Sequence, residues 1–186
     1  MVRAGVYDKR RWWSKYEQHS QVRGIYSPRK KPPPTPSQPY NDIAILVLSR
    51  PINFDNYAVQ PICLPRSKAS EPKLGQTCIT AGWGYADPNK WEPNKPRDVS
   101  LPRVNCPPTQ SNMTMCFEVP GVIRGNCHGD SGGPIMCQLE QGKKEWTLSG
   151  TLFGEIKGNV EEKCGIGSSF TRVSYNLVDQ TRDLQA

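Results

Sequence analysis

Apolar positions along this chain fall in short runs separated by polar, glycine- and proline-rich stretches. Val2–Tyr7 reads as a short strand. Residues 8–24 are basic and aromatic, with Arg10, Arg11, Trp12, Trp13 and Lys15. Residues 28–39 (PRKKPPPTPSQP) form an extended surface loop, because proline cannot donate to a ladder. Ile43–Leu48, a continuous apolar run after Asn41-Asp42, predicts a buried strand. Residues 51–65 are a proline-bounded connector between two halves. Beyond it, alternation predicts strands at Gln76–Trp83, Val99–Val104, Ile135–Gln138, Glu145–Phe153 and Ser169–Val173. Short strands at this spacing predict an antiparallel barrel. The tail, Ser174–Ala186, starts a helix but carries few apolar residues.

Composition supports this reading. With 16 Gly and 18 Pro beside 35% hydrophobic residues, the chain suits strands and tight turns better than a helical bundle. The 186 residues are slightly short for a complete two-barrel domain. The net charge of +7 is spread along the chain, with one cluster at Arg29-Lys30-Lys31. That distribution argues against a nucleic-acid partner, and leaves binding to an acidic polymer as a weaker rival. No segment is apolar enough for a membrane helix.

Seven cysteines match no CxxC metal pattern, so neither metal nor cofactor is expected. Their density predicts disulfides and an extracellular, secreted protein. An odd number leaves one without a partner. Met1-Val2-Arg3-Ala4-Gly5 is not a signal peptide, so the sequence is expected to be incomplete at its N-terminus.

Gly129-Asp130-Ser131-Gly132-Gly133-Pro134 carries the strongest chemistry. Serine between glycines sits on a sharp turn with its hydroxyl exposed. Such a turn gathers backbone N–H groups into one small volume, where they stabilise an oxyanion while the serine attacks a carbonyl.

With Cys127-His128 preceding it, this segment resembles the active-serine signature of the chymotrypsin-like (trypsin family) serine proteases. Asn41-Asp42-Ile43-Ala44-Ile45-Leu46 resembles the family's catalytic-aspartate motif. Thr80-Ala81-Gly82-Trp83-Gly84, Gln60-Pro61-Ile62-Cys63-Leu64-Pro65 and Phe170-Thr171-Arg172-Val173-Ser174 are similar to further family motifs, in the family's order. The resemblance implies an all-β, chymotrypsin-like double antiparallel β-barrel. Within a single domain, residues 1–65 would form a partial first barrel, 66–175 the second, and 176–186 a short C-terminal helix remnant. The first half should pack poorly, with residues 8–40 mobile.

The resemblance also assigns roles. Ser131 is the nucleophile, the N–H groups of Gly129 and Ser131 form the oxyanion hole, and Asp42 supports the base. Asp130 pairs with an N-terminal ammonium made by zymogen cleavage; otherwise it caps local N–H groups. The catalytic histidine falls before Met1. Of the two histidines present, His128 belongs on the pocket rim, and His19 lacks the family's neighbouring cysteine. The implied disulfides are Cys78–Cys137, Cys106–Cys116 and Cys127–Cys164, with Cys63 unpaired. Gly125 forms the pocket base and Ser168 its rear wall, both uncharged, while Phe153 and Gly154 line the substrate edge. That pocket predicts an apolar or small P1 side chain. Asn112-Met113-Thr114 is a glycosylation triplet. The expected function is a monomeric serine endopeptidase acting on proteins or peptides and subject to protease inhibitors, inactive in this chain alone. The rival is a non-catalytic homologue acting as an extracellular binding module.

Overall fold

The computed structural model describes residues 1–11, 13–27, 42–67, 70–86, 91–108, 110, 112–122, 124–139, 144–156 and 164–176. The proline-rich loop 28–39, the Arg29–Lys31 cluster, Asn41 and the tail 177–186 lie outside them. Among the described residues, ten strands run in chain order: β1 (Val2–Ala4), β2 (Gln18–Ser20), β3 (Val22–Tyr26), β4 (Ile45–Leu48), β5 (Thr77–Gly82), β6 (Arg97–Val104), β7 (Thr114–Glu118), β8 (Pro134–Cys137), β9 (Thr147–Ile156) and β10 (Gly167–Arg172). A helical turn at 173–176 follows β10, beginning three residues before the expected remnant.

Strands β5–β10 form a closed antiparallel barrel in the order β10-β7-β6-β5-β8-β9, with β9 pairing back to β10. Closure removes both sheet edges. Inside lie Cys78, Leu101, Met115, Phe117, Ile135, Cys137, Leu152 and Phe170, all buried. The Phe117 and Phe170 rings meet edge-on at 5.5 Å, the arrangement that brings a ring's positive edge onto a negative face. The Cys78–Cys137 disulfide joins β5 to β8 across this core.

A part-buried ionic cluster links β6 and β10 through Glu71. Glu71 pairs with Arg172 of β10 and lies 3.6 Å from Arg103 of β6. Ser174 Oγ donates to Glu71 Oε1 at 2.5 Å. Burial, helped by the neighbouring Arg172 charge, pushes the Arg103 guanidinium below its usual range, against the pull of Glu71.

Among the described residues, the first half has four strands in two separate two-stranded sheets, β1-β2 and β3-β4. Gln18–Ser20 and Val22–Tyr26, inside the stretch expected to be mobile, therefore form strands. The strand expected over Val2–Tyr7 ends at Ala4. There Gly5 turns at φ +79°, with Tyr16 O only 2.5 Å from where a Cβ would stand. Only glycine fits both constraints. The strand expected over Ile43–Leu48 covers Ile45–Leu48 and is not fully buried, since Leu46 is 46% exposed. With one hydrogen-bonded neighbour, β4 has only part of its surface covered.

The halves meet along Cys63 and Lys9. Cys63 N–H donates to Trp146 O at 3.1 Å, and Leu148 N–H donates to Cys63 O at 2.9 Å. Lys9 N–H donates to Asn94 O at 2.8 Å.

Candidate active site

The turn between β7 and β8 carries Ser131, which is exposed. Two glycines let it form: Gly129 has φ +95° and Gly132 has φ +83°. Within the turn, Asp130 N–H donates to Cys127 O at 3.0 Å and Gly133 N–H to Asp130 O at 2.9 Å. Gly132 N–H and Leu152 N–H tie the turn to β9 through Leu152 O and Gly133 O, each at 2.8 Å.

Asp130 fixes the turn from below. Its Oδ1 accepts from Gly84 N–H at 2.7 Å and its Oδ2 from Cys127 N–H at 3.1 Å. A Cβ at Gly82 would lie 2.1 Å from Oδ1, and one at Gly84 2.6 Å, so both glycines are required for this approach. The local capping role foreseen for Asp130 is present, extended by a partner 46 residues away. A cavity of about 330 Å³ opens beside the carboxylate, lined among others by Thr80, Gly82, Gly84, Arg97 and Asn126. The buried Asn126 Oδ1 has no hydrogen-bond partner among the described residues.

With Asp130 and its N–H turned inward, two other N–H groups remain free. Among the described residues, neither Gly129 N–H nor Ser131 N–H donates within the chain. The Ser131 hydroxyl likewise has no partner there. His128 O, just before this pair, accepts from Tyr85 N–H at 2.9 Å. That bond sets the direction of the peptide leading into Gly129.

Beside the turn, the Cys127–Cys164 disulfide lines the same cavity together with Gly125 and Gly165. A Cβ on Gly125 would sit 3.1 Å from Ser168 Oγ, so the predicted base and rear wall do adjoin. Ser168 is fully buried, and its Oγ accepts from Asn126 N–H at 3.0 Å. On the opposite edge, pairing steps from Ser169↔Gly154 to Phe170↔Leu152, leaving Phe153 as the extra residue of a β-bulge. Bulges re-aim side chains beside functional sites. Nothing lies within 4 Å of a Cβ built on Gly154, so that edge is open. The His128 ring is exposed and tilted against Tyr85, 5.3 Å between centroids.

Asp42 makes no hydrogen bond to this constellation among the described residues. It is exposed, three residues before β4. His19 is committed elsewhere: its Nε2 meets Glu17 Oε1 at 2.6 Å, and its ring stacks on Trp13 at 4.7 Å. Arg3 Nε donates to the same Glu17 oxygen at 2.5 Å. Sequence reasoning missed Glu17, Gly84 and Asn126 as local determinants; the Gly82-Trp83-Gly84 motif was the available signal for the second.

Disulfides close at Cys78–Cys137, Cys106–Cys116 and Cys127–Cys164, and Cys63 is free and exposed. The closed β-barrel thus carries an exposed serine on a glycine turn, with two N–H groups free beside it among the described residues. The family model described as Trypsin matches residues 1–178, and the chain belongs to the trypsin family of chymotrypsin-like serine proteases. Kallikrein 1-related peptidase b24 of Mus musculus is 39% identical over 114 residues, covering 56% of this chain and 41% of that protein. Phenoloxidase-activating factor 3 of Holotrichia diomphalia is 33% identical over 148 residues, covering 74% of this chain and 40% of that protein. The matched stretch thus spans less than half the length of these relatives. The structure of neuropsin, a serine protease expressed in the limbic system of mouse brain, superposes with a TM-score of 0.78 at 22% identity. That match covers 98% of this chain and 78% of neuropsin, and shows the shared fold.

Proposed function

We propose that this chain bears the nucleophile, oxyanion hole and substrate pocket of a secreted serine endopeptidase that cleaves proteins or peptides through an acyl-enzyme at Ser131. The observation that carries the reading is the turn itself. Ser131 stands exposed, Gly129 and Ser131 keep their N–H groups free, and Asp130 holds the backbone in that form. A carbonyl oxygen placed before those two donors would gain negative charge as Ser131 Oγ attacks. Asp42 is assigned the supporting carboxylate by its motif. The cavity beside Asp130 is assigned to an N-terminal ammonium released on zymogen cleavage. The uncharged Gly125 and Ser168 favour an apolar or small P1 side chain, since neither offers a carboxylate to pair with Lys or Arg. Three disulfides support an extracellular site of action. Monomeric behaviour and control by protease inhibitors complete the reading.

These residues by themselves should turn over slowly. His19 is held by Glu17, and His128 packs on Tyr85. Without a base on Ser131, activity falls on the order of 10³-fold or more below a complete triad. The same observation favours the second reading, a non-catalytic homologue that binds its partners through the barrel surface.

Fluorophosphonate labelling decides between them. The purified chain should form a slow covalent adduct at Ser131, accelerated by added imidazole and abolished in Ser131→Ala. Absence of an adduct at Ser131 under both conditions would favour the binding module.

A further inference from the structure

We propose that Asn112 carries an N-linked glycan, attached before β7 docks into the barrel. The proposal rests on the reading that the protein matures in an oxidising secretory compartment. Asn112-Met113-Thr114 is the single Asn-X-Ser/Thr triplet, X not proline, in the 186 residues. Asn112 is exposed in the turn that leads into β7. Two residues on, Thr114 is 3% exposed and lies opposite Thr171 of β10. Arg172 clamps the segment between them: its N–H donates to Met113 O at 2.9 Å and its Nε to Thr114 O at 3.0 Å.

This asymmetry fixes the order of events. The triplet is read through the hydroxyl at its third position, so a transferase must touch Thr114 while it modifies Asn112. In the folded chain the asparagine is accessible and the threonine is sealed. Transfer therefore precedes pairing of β7 with β10. In the step itself, Asn112 Nδ2 attacks C1 of the first N-acetylhexosamine of a lipid-pyrophosphate-linked oligosaccharide. The Nδ2–C1 bond forms and the C1–O bond breaks. Lipid pyrophosphate leaves with the electron pair, and the Nδ2 proton passes to a base on the transferase.

The register also says where the glycan ends up. Thr114 faces Thr171, whereas Phe117 faces Ser168 of the pocket wall, about 10 Å further along the strand. Asn112 precedes Thr114, so the sugar projects from the barrel end away from Ser168 and Gly154. It leaves the substrate groove open.

The test uses the full chain made in bacteria with its disulfides formed and no glycan attached. Reduced-and-unfolded and oxidised samples are each offered to solubilised oligosaccharyltransferase with lipid-linked oligosaccharide. The reduced chain should accept the sugar, as should reduced Thr114→Ser, while reduced Asn112→Gln and Thr114→Ala should not. The oxidised chain should react at least about tenfold more slowly, because only its locally opened fraction exposes Thr114. No transfer to the reduced chain, or transfer that survives Asn112→Gln, overturns the site. Equal rates on reduced and oxidised chains overturn the order of events. The assay does not depend on where the protein is made, so failure here leaves the secretory reading standing.

Discussion

The second half of the chain closes six strands on themselves; among the described residues, the first half has four strands in two separate ribbons. In the barrel, every strand has two neighbours, and the core residues Cys78, Leu101, Phe117, Ile135, Cys137 and Phe170 are fully buried. In the ribbons, each strand has one neighbour, and Ile25 and Leu46 are 68% and 46% exposed. Isolated two-stranded ribbons are marginal in water. The first half is therefore held by polar anchors and by its seam with the barrel at Cys63 and Lys9. The difference maps onto the chemistry. Ser131, Gly129, Gly125 and Ser168 sit on the rigid half, while Asp42 sits on the loosely held one.

The largest effect that would break this contrast comes from cutting the barrel's cross-link. Cys78–Cys137 closes a span of 59 residues, and replacing both cysteines by alanine should cost about 4 kcal/mol through chain entropy. Cys106–Cys116 closes a span of 10, and its removal should cost about 1.5 kcal/mol less. Urea unfolding of the two double variants measures the gap. Equal losses would mean that the barrel does not unfold as a unit.

Core deletion comes next. Leu101→Ala removes a fully buried side chain and should cost about 3 kcal/mol. Leu46→Ala, on the ribbon, should cost less than about 1 kcal/mol because its side chain is already half in water. Comparable losses at the two positions would show that the ribbons bury more than their exposure implies. A smaller loss is expected from Glu71→Ala. It leaves Arg103 and Arg172 facing one another without their shared carboxylate, and with residual solvent contact the cost should be about 2 kcal/mol. Hydrogen exchange in β6 and β10 would locate it.

The sequence disclosed the two halves unequally, for a physical reason. Strands β5, β6, β8, β9 and β10 alternate or carry motifs, and their positions were legible to within about three residues. Strand β7 was not, because Thr114, Met115, Cys116 and Phe117 are all buried and show no alternation. Gln18–Ser20 was invisible because it is wholly polar, and Val22–Tyr26 because Arg23 and Gly24 interrupt its apolar residues and break the alternation; pairing with partner strands makes them β. The site divides similarly. Ser131, Gly125 and Ser168 were readable because one motif or one flanking motif carries each. The grip of Asp130 on Gly84 spans 46 residues, and no local pattern reports such an approach.

The subtlest test of the contrast is acidification. Glu17 is almost sealed, with its side chain 1% exposed, and it anchors β1–β2 by accepting from Arg3 and meeting His19. The Arg3 hydrogen bond leads in holding its carboxyl below the usual carboxylate range, with His19 adding to it and burial opposing. A depressed carboxylate contributes stability that is present above its unfolded pKa and lost as pH falls through its folded one. The β1–β2 ribbon should therefore loosen by a few tenths of a kcal/mol or more as pH drops below about 4. Glu17→Gln, which cannot lose a charge, should remove that dependence and leave the ribbon equally loose on both sides of the transition. Amide chemical shifts of Arg3, Ala4 and His19 followed against pH report the event directly. A transition at these amides that persists in Glu17→Gln would assign the anchor to another group. A transition shared by β5–β10 would mean that the two halves respond as one body.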